Sequence, residues 1–429
     1  MSLTEALRDV CRSRPGRPAL RASTESLDYE TLLGRIEARA ESIAAGGSAT
    51  PLSLDAREPV ALILDFFAAR RLGRTAVIHA EGVPTLLREK REQCLHGLLP
   101  PSSPETVFYS SGSIGSGKAV PLSDEQLLLA ALAFAPSATI ETTDRVGVAV
   151  PIGQIFGLVR GVLNALLVGA ETIVYSPRRD ALGEAAALGA TLVLVSASQA
   201  RLAAEVPGRV ALRGVLSGGG PLADGVATKI EAERGVAVRL GYGLTESSGL
   251  GSRQPLDRPR RAGSAGPPAP CLAVTIDAGG SFAAPGQTGE ILLSGPAVFR
   301  GYADPAEASP LDATGRLRTA DLGFLDAEGE LHVRGRAASS IAIHGRFLCA
   351  EEVEAAVLEK PGVAEAAAIP LGDAFGLLLV TADASEAFLR EVREHISRRL
   401  PVFARPRRLR RVPSIPRTPS GKLLRGELR

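Results

Sequence analysis

The sequence predicts an α/β protein. It has a mostly parallel sheet with helices on its faces, a small antiparallel β portion appended to that core, and a small α+β unit at the C-terminus. Three observations predict this. Short apolar runs alternate with amphipathic helical stretches through about residue 250, the rhythm of strand–helix–strand units. From about residue 255 the texture changes to short strands punctuated by glycine and proline. Beyond Arg336 a new helix-and-strand pattern begins and runs into a basic tail. That shift places a boundary at residues 335–338 and divides the 429 residues into 1–336 and 337–429, a length that suits about two domains.

The elements follow in order. EPVALILDFFAARRLGRTAVIHA (58–80) reads as an apolar start, a helix and the strand TAVIHA, before LLPPSSPET (98–106) breaks the pattern. A strand over 107–111 leads into a glycine-rich loop, and the box Ser123-Asp-Glu-Gln126 opens a helix. The strands RVGVAVPI, ETIVYS, TLVLVSAS, LRGVLSGGG and VAVRLGYG then alternate with helices, the first of which runs to about residue 170. LAVTIDA, GEILLSG and GELHVRGR supply antiparallel strands, with Asp326-Ala-Glu-Gly329 as a hairpin turn and Asp321 on a loop. Residues 337–429 read as a short strand, the helix AEEVEAAVLEK, strands AEAAAIP and GLLLVTA, a helix at 385–399 and the basic tail.

With 45% hydrophobic and 22% charged residues and a net charge of +2, wholesale disorder is excluded. No stretch of 18 apolar residues occurs and the N-terminus lacks the apolar core of a signal peptide, so the expectation is a cytoplasmic protein with no membrane span. Cys11, Cys94, Cys271 and Cys349 form no CxxC pair, and the five histidines are scattered, which argues against disulfides and soft-ligand metal sites. The 49 basic residues comprise 44 arginines and only five lysines, so each lysine invites a reason.

Four segments carry candidate chemistry. YSSGSIGSGKAVPLS (109–123) nearly satisfies the Walker A pattern, but Ala119 stands where Ser or Thr is needed, and Pro121 delays the helix to Ser123. A Ser/Gly loop with Lys118 still suits a polyphosphate, and taken alone it is equally a solvated turn. GYGLTESSG (241–249) follows an apolar strand and offers an aromatic ring, a hydroxyl and a carboxylate for a base, a phosphate and magnesium. In RTADLGFLDAEGELHVRGR (318–336) the Asp321 carboxylate can accept both hydroxyls of a ribose. PRTPSGKLLRGELR (416–429) sets Lys422 on a proline- and glycine-bounded loop; alone it reads as a frayed basic end.

In this order the four segments resemble the adenylate-forming superfamily of acyl-CoA synthetases, peptide-synthetase adenylation domains and luciferases. The resemblance runs from about residue 28 to the end. It includes Tyr109 to Ala119, Tyr242-Gly-Leu-Thr-Glu246, Thr319 to Gly323 with Gly335-Arg336, and Pro416 to Arg425. LSGGGPL (216–222), GSAGPP (263–268), GEILLSGPAVFRGY (289–302) and AEEVE (350–354) agree as well. The resemblance implies parallel sheets with helices on both faces and a mobile C-terminal lid over an ATP- and acyl-binding domain. It implies activation of a carboxylic acid by ATP and Mg²⁺ to an acyl-adenylate, with pyrophosphate released and a thiol capturing the acyl group.

By the same resemblance Ser110, Ser111, Gly112, Ser113 and Lys118 handle the β and γ phosphates. Gly218, Gly219, Gly220 and Tyr242 bracket adenine, Thr245 meets the α-phosphate, Glu246 holds magnesium, and Asp321 with Arg336 holds the ribose. Lys422 bonds the carboxylate and the α-phosphate, where a compact ammonium stabilises growing negative charge. Ile114 replaces a hydroxyl residue of the pattern, Gly117 its usual proline, Ala320 its usual glycine and Ala338 its hinge Asp or Lys. The chain is also short for the family, mainly before the phosphate loop.

VAVPIGQIFGLVRGVL (148–163) corresponds to the family's acyl-pocket segment, so Gln154, Ile155, Phe156 and Gly157 are the expected lining. No Asp stands there to hold an α-ammonium group, which argues against an α-amino acid. The expected substrate is an aryl, enoyl or medium fatty acid, loaded onto CoA or an acyl carrier protein. Residues 398–429 carry ten arginines and Lys422 against one acid, Glu427, a surface for CoA phosphates or an acidic carrier. Aromatic interleaving is nearly absent, so nucleic acid is not an expected partner. The rival readings are a non-catalytic protein that binds nucleotide or carrier, and an adenylating enzyme with an amine acceptor.

Overall fold

The computed structural model describes residues 2–22, 25–47, 51–81, 83–95, 98, 105–110, 117–133, 140–343, 346–372, 374–383, 385–400, 404–417 and 423–428. Its largest sheet has eight strands in the order Gly251–Arg253, Val238–Gly243, Gly214–Gly218, Leu192–Ser196, Arg145–Val148, Glu171–Val174, Pro18–Ala22 and Glu25–Asp28. The six inner strands run parallel, and the outermost strand on each side is antiparallel to its neighbour. Leu192 and Leu194 join one hydrophobic cluster while Val193 and Val195 join another. A strand buried on both faces needs apolar residues at every position, which is why TLVLVSAS is a continuous apolar run.

A second sheet places Leu52–Asp55, Ala76–His79 and Thr106–Tyr109 in parallel, with Ala119–Leu122 antiparallel at its edge. Pro121 is tolerated there because an edge strand need not donate every N–H. Ser123 caps the following helix, Asp124–Leu132, in a reciprocal capping box with Gln126, as its spacing predicts. The helix expected to run to about residue 170 is a π-helix over Phe156–Leu163 continued by an α-helix over Asn164–Val168, ended by Gly169 at φ +89°.

The third sheet is antiparallel, Ala273–Asp277, Gly289–Ser294, Leu317–Leu325 and Leu331–Arg336 in that order. Residues 326–330 turn between the last two strands, as read from the sequence. Asp321 lies within the strand Leu317–Leu325 and not on a loop. Its strand alternates with Leu317, Thr319 and Asp321 pointing inward, and the interior supplies partners for the inward carboxylate.

The C-terminal residues form the hairpin Ser340–Ile343 and Arg346–Cys349 and a three-stranded sheet of Val363–Pro370, Phe375–Thr381 and Pro406–Arg411. The helices Ala350–Leu358 and Glu386–Arg399 cover one face of that sheet, with Val353, Val357, Val392 and Ile396 in one cluster with Phe375, Leu377 and Leu379. Ala367, Leu378 and Ile415 fill a separate cluster on the other face. The strand Pro406–Arg411 falls in what reads as a bare basic tail, because four of its six residues are exposed arginines and only Pro406 and Leu409 turn toward the core. Among the described residues no helix is long and apolar enough to cross a membrane.

Candidate nucleotide and acyl site

The C-terminal ends of the parallel strands gather most of the expected site. The strand Val238–Gly243 delivers Tyr242, and the short turn Thr245–Ser247 beyond it carries Thr245 and Glu246. The Tyr242 hydroxyl donates to Asp321 Oδ2 at 2.7 Å, and Arg336 Nε lies 2.9 Å from Asp321 Oδ1. Arg336 also donates to the Thr319 carbonyl at 3.1 Å, and the Thr319 hydroxyl accepts from the Asp321 N–H at 3.0 Å. Burial, and next the Asp321 charge, hold the Tyr242 hydroxyl far above its ordinary pKa, so it remains a neutral donor. Asp321, only 5% exposed, turns one carboxylate oxygen toward each partner.

Ala320, where the family pattern has glycine, adopts φ +55°. This left-handed backbone strains an alanine, and it aims the Ala320 N–H at Glu290 Oε1, 3.1 Å away. The departure at Ala320 thus keeps the glycine-like conformation at an energetic cost.

On the phosphate side, Tyr109 is stacked on His79 with ring centroids 5.9 Å apart, and the Arg91 guanidinium lies 4.0 Å from its ring centre. The loop it enters is closed at its base, where Ser110 N–H donates to the Lys118 carbonyl at 2.9 Å and Lys118 N–H to Ser110 Oγ at 3.3 Å. Gly117 sits at φ +71°, and a Cβ there would stand 2.6 Å from the Ser110 carbonyl oxygen. Proline is fixed near φ −65° and could not occupy this backbone, so Gly117 belongs to a different closure of the loop. Ser111, Gly112, Ser113 and Ile114 lie outside the described residues.

Lys118 Nζ lies 3.0 Å from Glu307 and 4.7 Å from the centre of the Tyr302 ring. The Tyr302 hydroxyl donates to Glu246 Oε1 at 3.1 Å. The expected phosphate lysine and the expected magnesium carboxylate thus meet on one ring. Burial, followed by the Glu246 charge, raises the Tyr302 hydroxyl pKa and keeps it a donor. Neither Tyr302 nor Glu307 is singled out by sequence reasoning. Tyr302 ends the quoted segment GEILLSGPAVFRGY, so a signal existed, while nothing local marks Glu307.

Gly218 ends its strand against the Phe156 ring, which a Cβ would approach to 2.9 Å. Gly219, at φ +76°, is exposed with open space above it, as befits a loop that a flat base can cover, and Gly220 is exposed beside it. At Gly157 a Cβ would stand 2.3 Å from the Pro151 carbonyl oxygen, so only glycine lets the helix start so close to the preceding loop. Ile155 packs against Gly249, and Gln154 is partly buried at the helix entry. The expected acyl lining therefore borders both the glycine loop and the segment that follows Glu246.

Lys422 lies outside the described residues, but the chain is anchored on either side of it. Arg417 and Leu423 form an antiparallel bridge, and Arg417 pairs with Glu365 at 2.7 Å. Arg425 spans Glu351 and Glu354 at 2.9 and 2.8 Å, which joins the terminal motif to the helix AEEVE. Burial pushes the Glu354 carboxyl up, and Arg425 pulls it back. Ala338 occupies the single turn Ala337–Ser339, and the Ser339 hydroxyl donates to Glu351 at 2.7 Å.

The residues fit the groups the resemblance implies. Asp321 keeps lone pairs for ribose hydroxyls after accepting from Tyr242 and Arg336. Glu246 is one carboxylate beside a phosphate lysine, the donor set of a magnesium held mainly by nucleotide phosphates.

Residues 51–303 match the family described as AMP-binding enzyme, and residues 352–422 match the AMP-binding enzyme C-terminal domain. The peroxisomal OPC-8:0-CoA ligase 1 of Arabidopsis thaliana is 32% identical over 345 residues, which is 75% of this chain and 63% of that protein. The chain thus spans less than two thirds of the length of this curated relative. The fold is shared with the anthranilate CoA ligase AuaEII in complex with anthranoyl-AMP, at TM-score 0.89, 18% identity and coverage of 99% of this chain and 96% of that one. It is shared too with O-succinylbenzoate coenzyme A synthetase (MenE) of Bacillus subtilis in complex with ATP and magnesium, at TM-score 0.87, 23% identity and coverage of 99% and 98%. The profile matches, the sequence relative and the ordered motifs agree: this chain belongs to the AMP-binding enzyme family, within the adenylate-forming superfamily.

Proposed function

We propose that the chain activates a carboxylic acid with ATP, forming an acyl-adenylate and pyrophosphate, and then transfers the acyl group to the thiol of CoA or an acyl carrier protein. The observation that carries this reading is the meeting of Lys118 and Glu246 on Tyr302, which sets a phosphate cation and a metal carboxylate side by side at the strand ends. Beside them Asp321, held by Tyr242 and Arg336, receives the ribose, and the loop from Gly218 to Gly220 faces the adenine. Glu246 would hold a magnesium ion there, and the ion would supply charge stabilisation to the phosphates.

Residues 1–336 form the ATP- and acyl-binding domain and 337–429 the C-terminal lid, which presents Lys422 to the carboxylate and α-phosphate. Two anions must approach there, so a positioned ammonium lowers the barrier by charge stabilisation. Ser110, Ser111, Gly112 and Ser113 surround the phosphates, and Thr245 meets the α-phosphate. Gln154, Ile155, Phe156 and Gly157 wall the acyl pocket, a lining that favours an aryl, enoyl or medium-chain acid. The exposed arginines of the strand Pro406–Arg411 give an acidic carrier or the phosphates of CoA a surface to meet.

The test is pyrophosphate release from ATP over a panel of aryl, enoyl and medium-chain acids, with Lys422→Ala as control. Acid-dependent release that disappears in Lys422→Ala supports the reading, and release unchanged in that variant, or none with any acid, overturns it. Pre-formed acyl-adenylate offered to CoA, to phosphopantetheinylated carrier protein and to amines then identifies the acceptor.

A further inference from the structure

We propose that Glu351 is a positioning residue that ties the terminal motif to the ribose clamp, through the hydroxyl of Ser339 and the backbone of Arg336. The proposal rests on the activity reading above, in which Lys422 of that motif serves the adenylation step.

The chain leaves the core along the strand Leu331–Arg336, makes the single turn Ala337–Ser339 and enters the hairpin of the C-terminal unit at Ser340. Ala338, in the middle of that turn, has only a methyl group, and Ser339 beside it supplies polar contacts. Its Oγ lies 2.7 and 2.8 Å from the two Glu351 oxygens and 3.0 Å from the Arg336 carbonyl. A serine hydroxyl has one proton, so it donates to the carboxylate or to the carbonyl. Ser340 Oγ donates to the same carbonyl at 3.3 Å, so that carbonyl stays satisfied when the Ser339 proton turns to Glu351.

Glu351 lies in the first turn of the helix Ala350–Leu358 and sits against the end of the core strand. A Cβ on Gly335 would stand 2.3 Å from Glu351 Oε2, so a side chain there would push the carboxylate away, and glycine, at φ +151°, lets it approach. The next carboxylate, Glu352, pairs with Arg334 of the same strand. Glu351 Oε1 also accepts from Arg425 Nη2 at 2.9 Å, while Arg425 Nη1 holds Glu354 at 2.8 Å. Arg425 stands three residues after Lys422. From Arg336 the contacts continue into the site, since its Nε lies 2.9 Å from Asp321 Oδ1. A chain of polar contacts, none longer than 3.0 Å, therefore runs from Arg425 through Glu351, Ser339 and Arg336 to the carboxylate proposed for the ribose. Energetic coupling needs an element with two arrangements, and the Ser339 proton, with two acceptors in reach, is that element.

The experiment uses the full chain as wild type, Ser339→Ala, Ser339→Thr, Glu351→Gln and the double variant of Ser339→Ala with Glu351→Gln. In Ser339→Ala the kcat of acid-dependent pyrophosphate release should fall about threefold to tenfold, the scale of one hydrogen bond, with the KM for ATP within about twofold of wild type. Thiol capture of pre-formed acyl-adenylate, a step in which the reading gives Lys422 no role, should be unchanged. Ser339→Thr keeps a hydroxyl and should restore most of the rate. The losses in Ser339→Ala and Glu351→Gln should not add in the double variant, because both break the same chain of contacts. Equal falls in both half-reactions, no rescue by threonine, or additive losses overturn the proposal. Hydrogen exchange reads the same tie without any substrate: amides of the helix Ala350–Leu358 should exchange about fivefold faster in each single variant lacking the contact, and no faster in the double one. Exchange unchanged in either overturns the proposal even where adenylation is intact. An enzyme that releases no pyrophosphate with any acid overturns the activity reading alone.

Discussion

The hydroxyl of Tyr242 and the carboxylate of Asp321, 2.7 Å apart, join the end of the parallel sheet to the middle of the antiparallel one. This bond sets the strand that ends beyond Tyr242 directly against the strand that carries Asp321. Removing the donor leaves a 5%-exposed carboxylate with Arg336 and one fewer hydrogen bond. Tyr242→Phe should therefore lower stability by about 1–2 kcal/mol. It should raise the KM for ATP more than it lowers kcat, measured by denaturant unfolding and by ATP titration of the adenylation rate.

Ala320 makes the opposite prediction to the usual rule for glycine. At φ +55° an alanine bears about 1–2 kcal/mol of strain, while the added freedom of glycine in the unfolded chain costs less. Ala320→Gly should stabilise the protein by about 0.5–1 kcal/mol, and Ala320→Val should destabilise it, both read as shifts in the denaturant midpoint.

Lys118 is engaged by Glu307 at 3.0 Å before any phosphate arrives. On the proposed reading ATP competes with that carboxylate for the ammonium. Glu307→Gln should lower the KM for ATP about twofold to fivefold with little change in kcat, as expected for losing a partly exposed competing pair. An unchanged or raised KM would show that Glu307 helps to aim the lysine.

Stability should fall on the alkaline side. Burial pushes the Cys11 and Cys349 thiols up to about 11, and the Tyr242 hydroxyl is raised as well, so the unfolded chain loses the thiol protons above about pH 9 and the phenolic proton above about pH 10 while the folded chain keeps them. The folded state then binds more protons than the unfolded one, and stability declines by about 1.4 kcal/mol per pH unit for each such group. It should be flat in this respect below pH 8. A Cys11→Ala, Cys349→Ala variant should show a shallower decline between pH 9 and 11 in thermal unfolding.

Much of the fold and the site could be read from the chain, and the exceptions have physical causes. The parallel core was legible because strands such as Leu192–Ser196, buried on both faces, must be continuously apolar, and the helix after the phosphate loop because Ser123 and Gln126 cap it reciprocally. Asp321 was misplaced onto a loop because a charged residue in a strand looks like a break until Tyr242 and Arg336 arrive from elsewhere to pair with it. The strand Pro406–Arg411 was hidden because only buried Pro406 and partly buried Leu409 interrupt its exposed arginines. Glu307 could not be found, since its meaning lies in a lysine 3.0 Å away in space and remote in sequence. The π-helical start at Phe156 is likewise invisible to a periodicity that cannot separate it from an α-helix.

The contact between Phe156 and Gly218 makes one ring the partition between two compartments. On the reading proposed above, the same ring walls the acid pocket and abuts the start of the glycine loop at Gly218. A residue that divides two rooms cannot be enlarged into one without shrinking the other. Attempts to retune this protein for a bulkier or slimmer acid at Phe156 will therefore also retune its hold on the nucleotide. Ile155 rests on Gly249, beyond Glu246, and on that reading is the position where the acid can be renegotiated with least effect on the nucleotide.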